Sequence, residues 1–374
     1  MNSPAPSLNT ASLVYDYTPN CMPNIPLSLM PDDPAKIVEA GQLKSTALDR
    51  LCELAGRACY DSLGKGRTSE GYHQHLIDVN HGSVHEHANL TFQVLFPHHA
   101  LLAFLVSVIN RPGVFVLPDP DGCGMRLTVN LRALREWHLF TTPGNHSNYD
   151  NYIRHAIGSM EILAREHAPL AFPNLKTPGS PNVAVYVELI EPAHDEEKWV
   201  SLFMSGSRGF THELVRHKYR TAVSQRSTRY VDEDGSPWVH HPLVEAYVAD
   251  ANDVVWRSVI ADTVMKSQGT YNRVVATLEP WLIAKGADKF TARKQARGAA
   301  RGYLGNALYT ECVFSASVAQ WKRMLKQRAT LAADAEIRRV FCEALHALQQ
   351  SRYGADFSDF ELVPSPDGLG DCLK

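Results

Sequence analysis

No apolar run in the sequence approaches the roughly 18–20 residues that a membrane span needs, and no basic segment precedes a hydrophobic block in the first 30 residues. Neither a spanning helix nor an export signal is expected. Cys-x-x-Cys pairs are also missing: Cys21, Cys52, Cys59, Cys123, Cys312, Cys342 and Cys372 are scattered and odd in number. Such thiols suit a reducing compartment better than a disulfide framework, so a cytoplasmic protein is expected. Excess charge is lacking too. The 37 Lys and Arg against 40 Asp and Glu leave a net charge of −3, which argues against a nucleic-acid coat or a polybasic membrane anchor. What is present, 44% hydrophobic and 21% charged residues over 374 positions, is enough for one large or two smaller cores.

Along the chain, prolines at 4, 6, 19, 23, 26, 31 and 34 predict an irregular arm over residues 1–35. From Lys36, the spacing of Leu43, Leu48, Leu51, Leu54, Ala55 and Ala58 predicts an amphipathic helix running into ACYDS. A second helix is expected at about 69–80. Leu90, Phe92, Val94 and Phe96 then alternate with Thr91, Gln93 and Leu95, a strand with one buried face that Pro97 stops. Residues 98–205 hold an apolar stretch, a strand-to-helix run MRLTVNLRALREWHLF and a strand at VAVYVELI, with no packing assignable. The remainder reads as mostly helical, at about 253–279, 290–328 with breaks and 332–350, where Ile337, Val340, Phe341, Leu345 and Leu348 form a core stripe. The tail from 351 to 374 is expected to be irregular.

Three stretches carry chemistry. HGSVHEH at 81–87 sets three imidazoles and a carboxylate before a strand; it reads either as a metal site or as satisfied polar residues at a strand start, and H-E-x-x-H is absent. ELVRHKYRTAVSQRSTRYV at 213–231 concentrates cations in a near-neutral chain. Arginine forks with Ser hydroxyls and backbone N–H groups suit a phosphate; a solvated face and a nucleic-acid contact are the alternatives, the latter short of aromatics beyond Tyr219 and Tyr230. Near the C-terminus, Arg301 in an Ala/Gly-rich context and Arg328 at a helix boundary are each weak signals alone.

In this order, NHGSVHEH, VRHKYRTAVSQRSTRYV, and ARGYLGNALYT with MLKQRATLAADAEIR resemble the flavin-dependent thymidylate synthase family, and AGRACYDS resembles its N-terminal helix. The resemblance covers roughly 40–95 and 205–350. It implies an α+β fold, a central antiparallel sheet flanked by helices with a long helical C-terminal part, spanning 36–350 around an insertion at about 98–205. The implied activity is reductive methylation of dUMP to dTMP with FAD, methylenetetrahydrofolate as carbon donor and NADPH as reductant, in a homotetramer with sites at subunit interfaces. By position, Ser83 and Glu86 lie by the flavin and His81 near the reacting centre. Arg216, His217 and Lys218 match the family's R-H-R flavin triplet, with Arg216 also facing the nucleotide. Gln225, Arg226, Ser227, Thr228 and Arg229 match the phosphate loop, with Gln225 also toward the cofactor and Ser227 counted among the catalytic groups. Arg301 and Arg328 match nucleotide-binding arginines, Arg328 beside the uracil, and Arg323 is assigned to the cofactor. No metal is implied. A guanidinium there stabilises negative charge developing on the pyrimidine, so no cysteine nucleophile is required.

The sequence also departs from the pattern. R-H-R is R-H-K, exchanging a fork for a point charge, and the spacer before S-x-R-Y is one residue longer. An expected Gln is Glu213, a carboxylate near a nucleotide unless protonated or paired, and it is counted as substrate-binding. The Pro after A-R-x-x-L is Gly305. The family's Asn-x-Arg flavin contact is replaced by Ser317, Val318 and Ala319, whereas VNLRALREW in the insertion resembles it, so Asn130 and Arg132 are expected either to restore that contact or to lie on an ordinary amphipathic helix. The alternative functions are a paralogue methylating or hydroxymethylating another pyrimidine nucleotide such as UMP, and a non-enzymatic nucleic-acid-binding protein.

Overall fold

A computed structural model describes residues 11–16, 46–62, 66–109, 111–118, 124–137, 148–172, 185–251 and 254–374. Two four-stranded antiparallel sheets organise it. The first contains β1 (Ala11–Asp16), β6 (Trp199–Ser207), β7 (Thr221–Gln225) and β8 (Tyr309–Ser317), in the order β1-β6-β8-β7. The second contains β2 (Asn89–Leu95), β3 (Val114–Pro118), β4 (Gly124–Asn130) and β5 (Tyr186–Leu189), in the order β3-β4-β2-β5.

Both faces of the first sheet are covered. On one lie α10 (Val318–Arg328) and α11 (Ala335–Gln349), whose Trp321, Met324, Ile337, Val340, Phe341, Leu345 and Leu348 pack on Val200, Leu202, Met204 and Phe314. The stripe expected on α11 is therefore core. The buried indole of Trp321 donates to the Val200 carbonyl at 3.0 Å, which satisfies a group that burial would otherwise penalise. On the other face α1 (Ala47–Tyr60) brings Leu51, Leu54, Ala55 and Ala58 against Phe203 and Val313. Thr46 caps α1 and Asp61, in the left-handed region, closes it. The second sheet carries its own core, in which Phe92, Val94 and Leu127 meet Phe104 of α3 (His98–Val108), Leu134 of α4 (Leu131–Glu136), Trp137, and Met160 of α5 (Asn148–His167).

Polar ties join the two halves. Asp49 of α1 accepts from the Leu170 and Ala171 N–H groups after α5; burial pushes its carboxyl up to about 7. Arg126 of β4 grips Glu197, just before β6, with two nitrogens at 2.6 and 2.8 Å. Burial would raise the Glu197 carboxyl, but Arg126 and the N–H groups of Ala193 and His194 outweigh it and hold it below its ordinary range.

The remaining helices are α2 (Ser69–Asp78), α6 (Arg208–Leu214), α7 (Pro242–Ala251), the long α8 (Val254–Ala284) and α9 (Lys289–Ala300). Val255, Trp256, Val259, Met265, Trp281 and Ile283 of α8 are exposed. No helix among the described residues is long and apolar enough to cross a membrane.

Several expectations are corrected. The stretch 290–328 is not a broken helix: its middle is β8, at the centre of the first sheet, and burial of both faces leaves no polar alternation to betray a strand. The segment ASLVYD, inside the arm expected to be irregular, forms the edge strand β1, since a backbone ladder needs only a short proline-free run. The expected tail contains a hairpin of β9 (Leu362–Pro364) and β10 (Asp371–Leu373). β2 is buried on both faces at its start, where Thr91 meets Thr128 hydroxyl to hydroxyl at 3.0 Å. β6 begins within the span assigned to the insertion yet belongs to the first sheet. The portion of the first helix expected over 36–45 lies outside the described residues.

Candidate functional site

The segment after α2 forms a 3-10 turn, Gly82–Glu86, that leads into β2. Its three imidazoles go to different partners. His81 lies at the head of the turn, where its Nδ1 and the Tyr60 hydroxyl from the end of α1 share a hydrogen bond at 2.8 Å. Burial, then His75 and Arg132, lower the His81 pKa, so the ring is neutral at pH 7. His85 is buried with Nδ1 3.2 Å from an Arg135 nitrogen. His87 sits between Ser315 Oγ at 2.7 Å and Ser224 Oγ at 3.0 Å. Of the two readings of this stretch, His87 follows the satisfied polar one.

Burial pushes the His87 pKa down to about 3. The unfolded chain takes up this proton near the ordinary value of about 6.5. Stability from His87 is therefore full above about 6.5 and is lost as pH falls toward 3. Asp49 acts in the opposite sense, so the check is a comparison: urea midpoints from pH 7 to 4 should fall more steeply for the unaltered protein than for His87→Gln.

The loop after β7 meets the His81 turn through α1. Ser227 N–H donates to the Cys59 carbonyl at 2.8 Å, and the Tyr230 ring sits edge-on to Tyr60 with centroids 4.9 Å apart. Tyr230 also carries Lys294 of α9 at 4.9 Å and Arg229 at 5.7 Å from its centroid. Thus His81 and the distant pair Ser227 and Arg229 gather around Tyr60 and Tyr230. Glu86, on the same turn, is bound by Arg132 of α4, whose Nε also donates to Glu136 at 3.0 Å. Gly82 lies close under this pair. A Cβ on it would lie 2.9 Å from Glu136 Oε1 and 3.3 Å from Arg132 Nε.

A second cluster forms at the C-terminal end of α10. Arg328 NH1 donates to Glu213 Oε2 at 2.7 Å and Arg328 Nε to His217 Nε2 at 3.0 Å. The carboxylate that departs from the family pattern is therefore paired. Burial, then Arg328, lower the His217 pKa and leave its Nε2 an acceptor.

Other expected residues are placed differently. Gln225 donates to Thr211 Oγ1 at 2.8 Å and Thr310 Oγ1 at 3.3 Å, tying β7 to α6 and β8. Arg226 lies among Glu233 at 3.6 Å, and Asp61 and Glu311 at 4.0 Å. Thr228 is buried. Asn130 is spent on capping α4, its Oδ1 accepting from Ala133 N–H at 2.7 Å. Ser83 is half-buried on the turn, while Arg216, Lys218, Arg229, Arg301 and Arg323 are exposed, and none of the five has a carboxylate partner among the described residues. Tyr60 and Lys294 were not singled out by sequence; the ACYDS run contains the only signal for the former.

Fold and cluster together define an α+β protein with cations gathered around a tyrosine–histidine pair. The family described as Thymidylate synthase complementing protein matches residues 43–106 and 200–351, and the chain belongs to that family. It is 36% identical over 203 residues to the flavin-dependent thymidylate synthase of Mycobacterium avium (strain 104), covering 52% of this chain and 76% of the relative. The Mycobacterium marinum (strain ATCC BAA-535 / M) enzyme is 37% identical over the same coverage. Among solved structures, the flavin-dependent thymidylate synthase ThyX from Helicobacter pylori, complexed with FAD and dUMP, is similar at 20% identity with a TM-score of 0.28, over 44% of this chain and 73% of that one.

Proposed function

We propose that the protein methylates dUMP to dTMP with FAD as its cofactor, methylenetetrahydrofolate as carbon donor and NADPH as reductant. The observation that carries the reading is the meeting of the two family motifs: the His81 turn and the Ser227–Tyr230 loop converge on Tyr60. The flavin-dependent relatives support the cofactor. The residues present fit it, since Arg216, Lys218 and Arg323 are exposed cations without carboxylate partners among the described residues, suited to a pyrophosphate. When bound, FAD would supply the hydride.

The chain's own groups bind and orient. Ser227 and Arg229 are assigned to the nucleotide phosphate, with Arg216 and Arg301 as further cations. Arg328, from the helix that covers the face opposite α1, is assigned to the uracil of a site that a neighbouring subunit completes, where a guanidinium stabilises charge developing in the transition state. Its pairing with Glu213 holds the fork in one orientation, and the substrate must compete with that carboxylate. Neutral His81, oriented by Tyr60, is available as a proton acceptor. Arg132 fixes Glu86 beside it, so the insertion's part in the flavin site is assigned to Arg132 rather than Asn130.

The exposed apolar residues of α8 support assembly, which we take to be a homotetramer. The five cysteines among the described residues are free thiols, which supports a cytoplasmic location. The test is anaerobic turnover with FAD, NADPH, methylenetetrahydrofolate and an equimolar mixture of dUMP and UMP, with products weighed by mass spectrometry. The expected product is dTMP. Methylated or hydroxymethylated UMP, or no product from protein that has bound flavin, would overturn the assignment.

A further inference from the structure

The two sheets are built alike, strand for strand. In one, β2, α3, β3, β4, α4 and α5 follow in order; in the other, β6, α6, β7, β8, α10 and α11 do, with α7 to α9 inserted before β8. The strand orders β5-β2-β4-β3 and β1-β6-β8-β7 correspond position by position. So do the registers. Asn89 faces Asn130 as Trp199 faces Ser317, and Val114 faces Val129 as Thr221 faces Ala316.

Finer details recur at matching positions. Asn130 and Ser317 each end a strand and cap the helix that follows, accepting from Ala133 and Gln320 N–H respectively. Leu131 N–H donates to the Ala88 carbonyl at 2.9 Å, and Val318 N–H to the Lys198 carbonyl at 2.8 Å. Gly113 and Arg220, each just before the second strand of its unit, both have positive φ, at 78° and 50°. Buried hydroxyls pair at the same place in each sheet, Thr91 with Thr128 at 3.0 Å and Ser201 with Ser315 at 2.6 Å. Generic sheet geometry does not demand that registers, caps, a left-handed residue and a hydroxyl pair all coincide. The edge strands are exchanged: β1, from before the first unit, borders the sheet of the second unit beside β6, and β5, from before the second unit, borders the sheet of the first unit beside β2.

The chemistry of the two units has diverged. Between Ser207 and β7 the second unit carries Arg216, His217 and Lys218; the matching stretch of the first, from Pro97 to β3, is three residues longer and holds Arg111 alone among lysines and arginines. Counted from the strand ends Pro118 and Gln225, Arg226-Ser227-Thr228-Arg229 corresponds to Asp119-Pro120-Asp121-Gly122. Two aspartates follow β3 where two arginines follow β7, a change that disfavours a phosphate. Conversely, Asn130-Leu131-Arg132 of the first unit corresponds to Ser317-Val318-Ala319 of the second.

We infer that residues 89–167 are a diverged second copy of the unit at 199–349, that nucleotide and flavin bind once per chain at the second copy, and that the first copy serves that site by positioning Glu86 through Arg132. This rests on the proposed function for the identity of the ligands. The experiment is ligand counting on the full chain, by calorimetric titration with FAD and with dUMP, alongside Arg132→Gln and Arg132→Lys. One FAD and one dUMP per chain are expected. Arg132→Gln should weaken FAD about tenfold with its melting temperature kept near that of the unaltered protein, and Arg132→Lys should regain most of the affinity, because a lysine still supplies Glu86 with a cation.

Two sites per chain, or unchanged FAD affinity in folded Arg132→Gln, would overturn the inference while leaving the methylation reading intact. Loss of FAD affinity in the glutamine variant without recovery in the lysine variant would overturn the positioning role. No binding of either ligand by the unaltered chain would overturn both the inference and the reading beneath it.

Discussion

Replacing Arg328 by Ala is expected to lower kcat for dTMP formation about 10²- to 10³-fold, the usual loss when a donor to developing charge is removed. The geometry fixes which control to run beside it. Arg328 is held by Glu213 at 2.7 Å and by His217 at 3.0 Å, so Glu213→Gln weakens the grip on the guanidinium without deleting it. That variant should retain far more activity than Arg328→Ala. If the two fall equally, the pair acts as a unit; if neither falls, Arg328 does not face the reacting ring. Steady-state rates with saturating dUMP, followed by dTMP yield, separate these outcomes.

Arg126→Ala should be the most damaging change to stability. Glu197 is almost fully buried, and Arg126 supplies two of its hydrogen bonds. Without the guanidinium the carboxylate remains in a low-dielectric setting with only the N–H groups of Ala193 and His194. Losing one partner of a buried ion pair costs about 3–5 kcal/mol, which for a chain of this size lowers the melting temperature by roughly 5 °C. Calorimetry on Arg126→Ala and on Arg126→Ala with Glu197→Gln checks the cause. The double variant should recover part of the loss, because its buried group carries no charge.

The sequence made some of this legible and hid the rest for physical reasons. Helical spacing located α1 and α11 because each presents one apolar face to a sheet. Alternation located β2. The same test failed on β8, where helices cover both faces and Cys312, Val313, Phe314, Ser315 and Ala316 are all buried. The motifs pointed to His81, Glu86, Ser227 and Arg229, since their chemistry is written in local strings. Tyr60 was harder to see: it closes a helix, and nothing nearby says that its hydroxyl reaches an imidazole across a loop. Arg226 looked like its neighbours in the loop, yet Glu233 a few residues on and Asp61 and Glu311 from distant stretches surround it. The likeness of the two units was equally hidden, because register and capping persist while side-chain identities have changed.

The crossing of β1 and β5 bears on how the molecule comes apart. Each border strand is supplied by the stretch of polypeptide leading into the other half, so peeling either sheet open strips an edge from its counterpart's segment. Melting should then proceed as a single concerted event rather than as two separate steps, despite two distinct apolar interiors. A latch of this kind keeps the two halves together whichever of them holds a ligand.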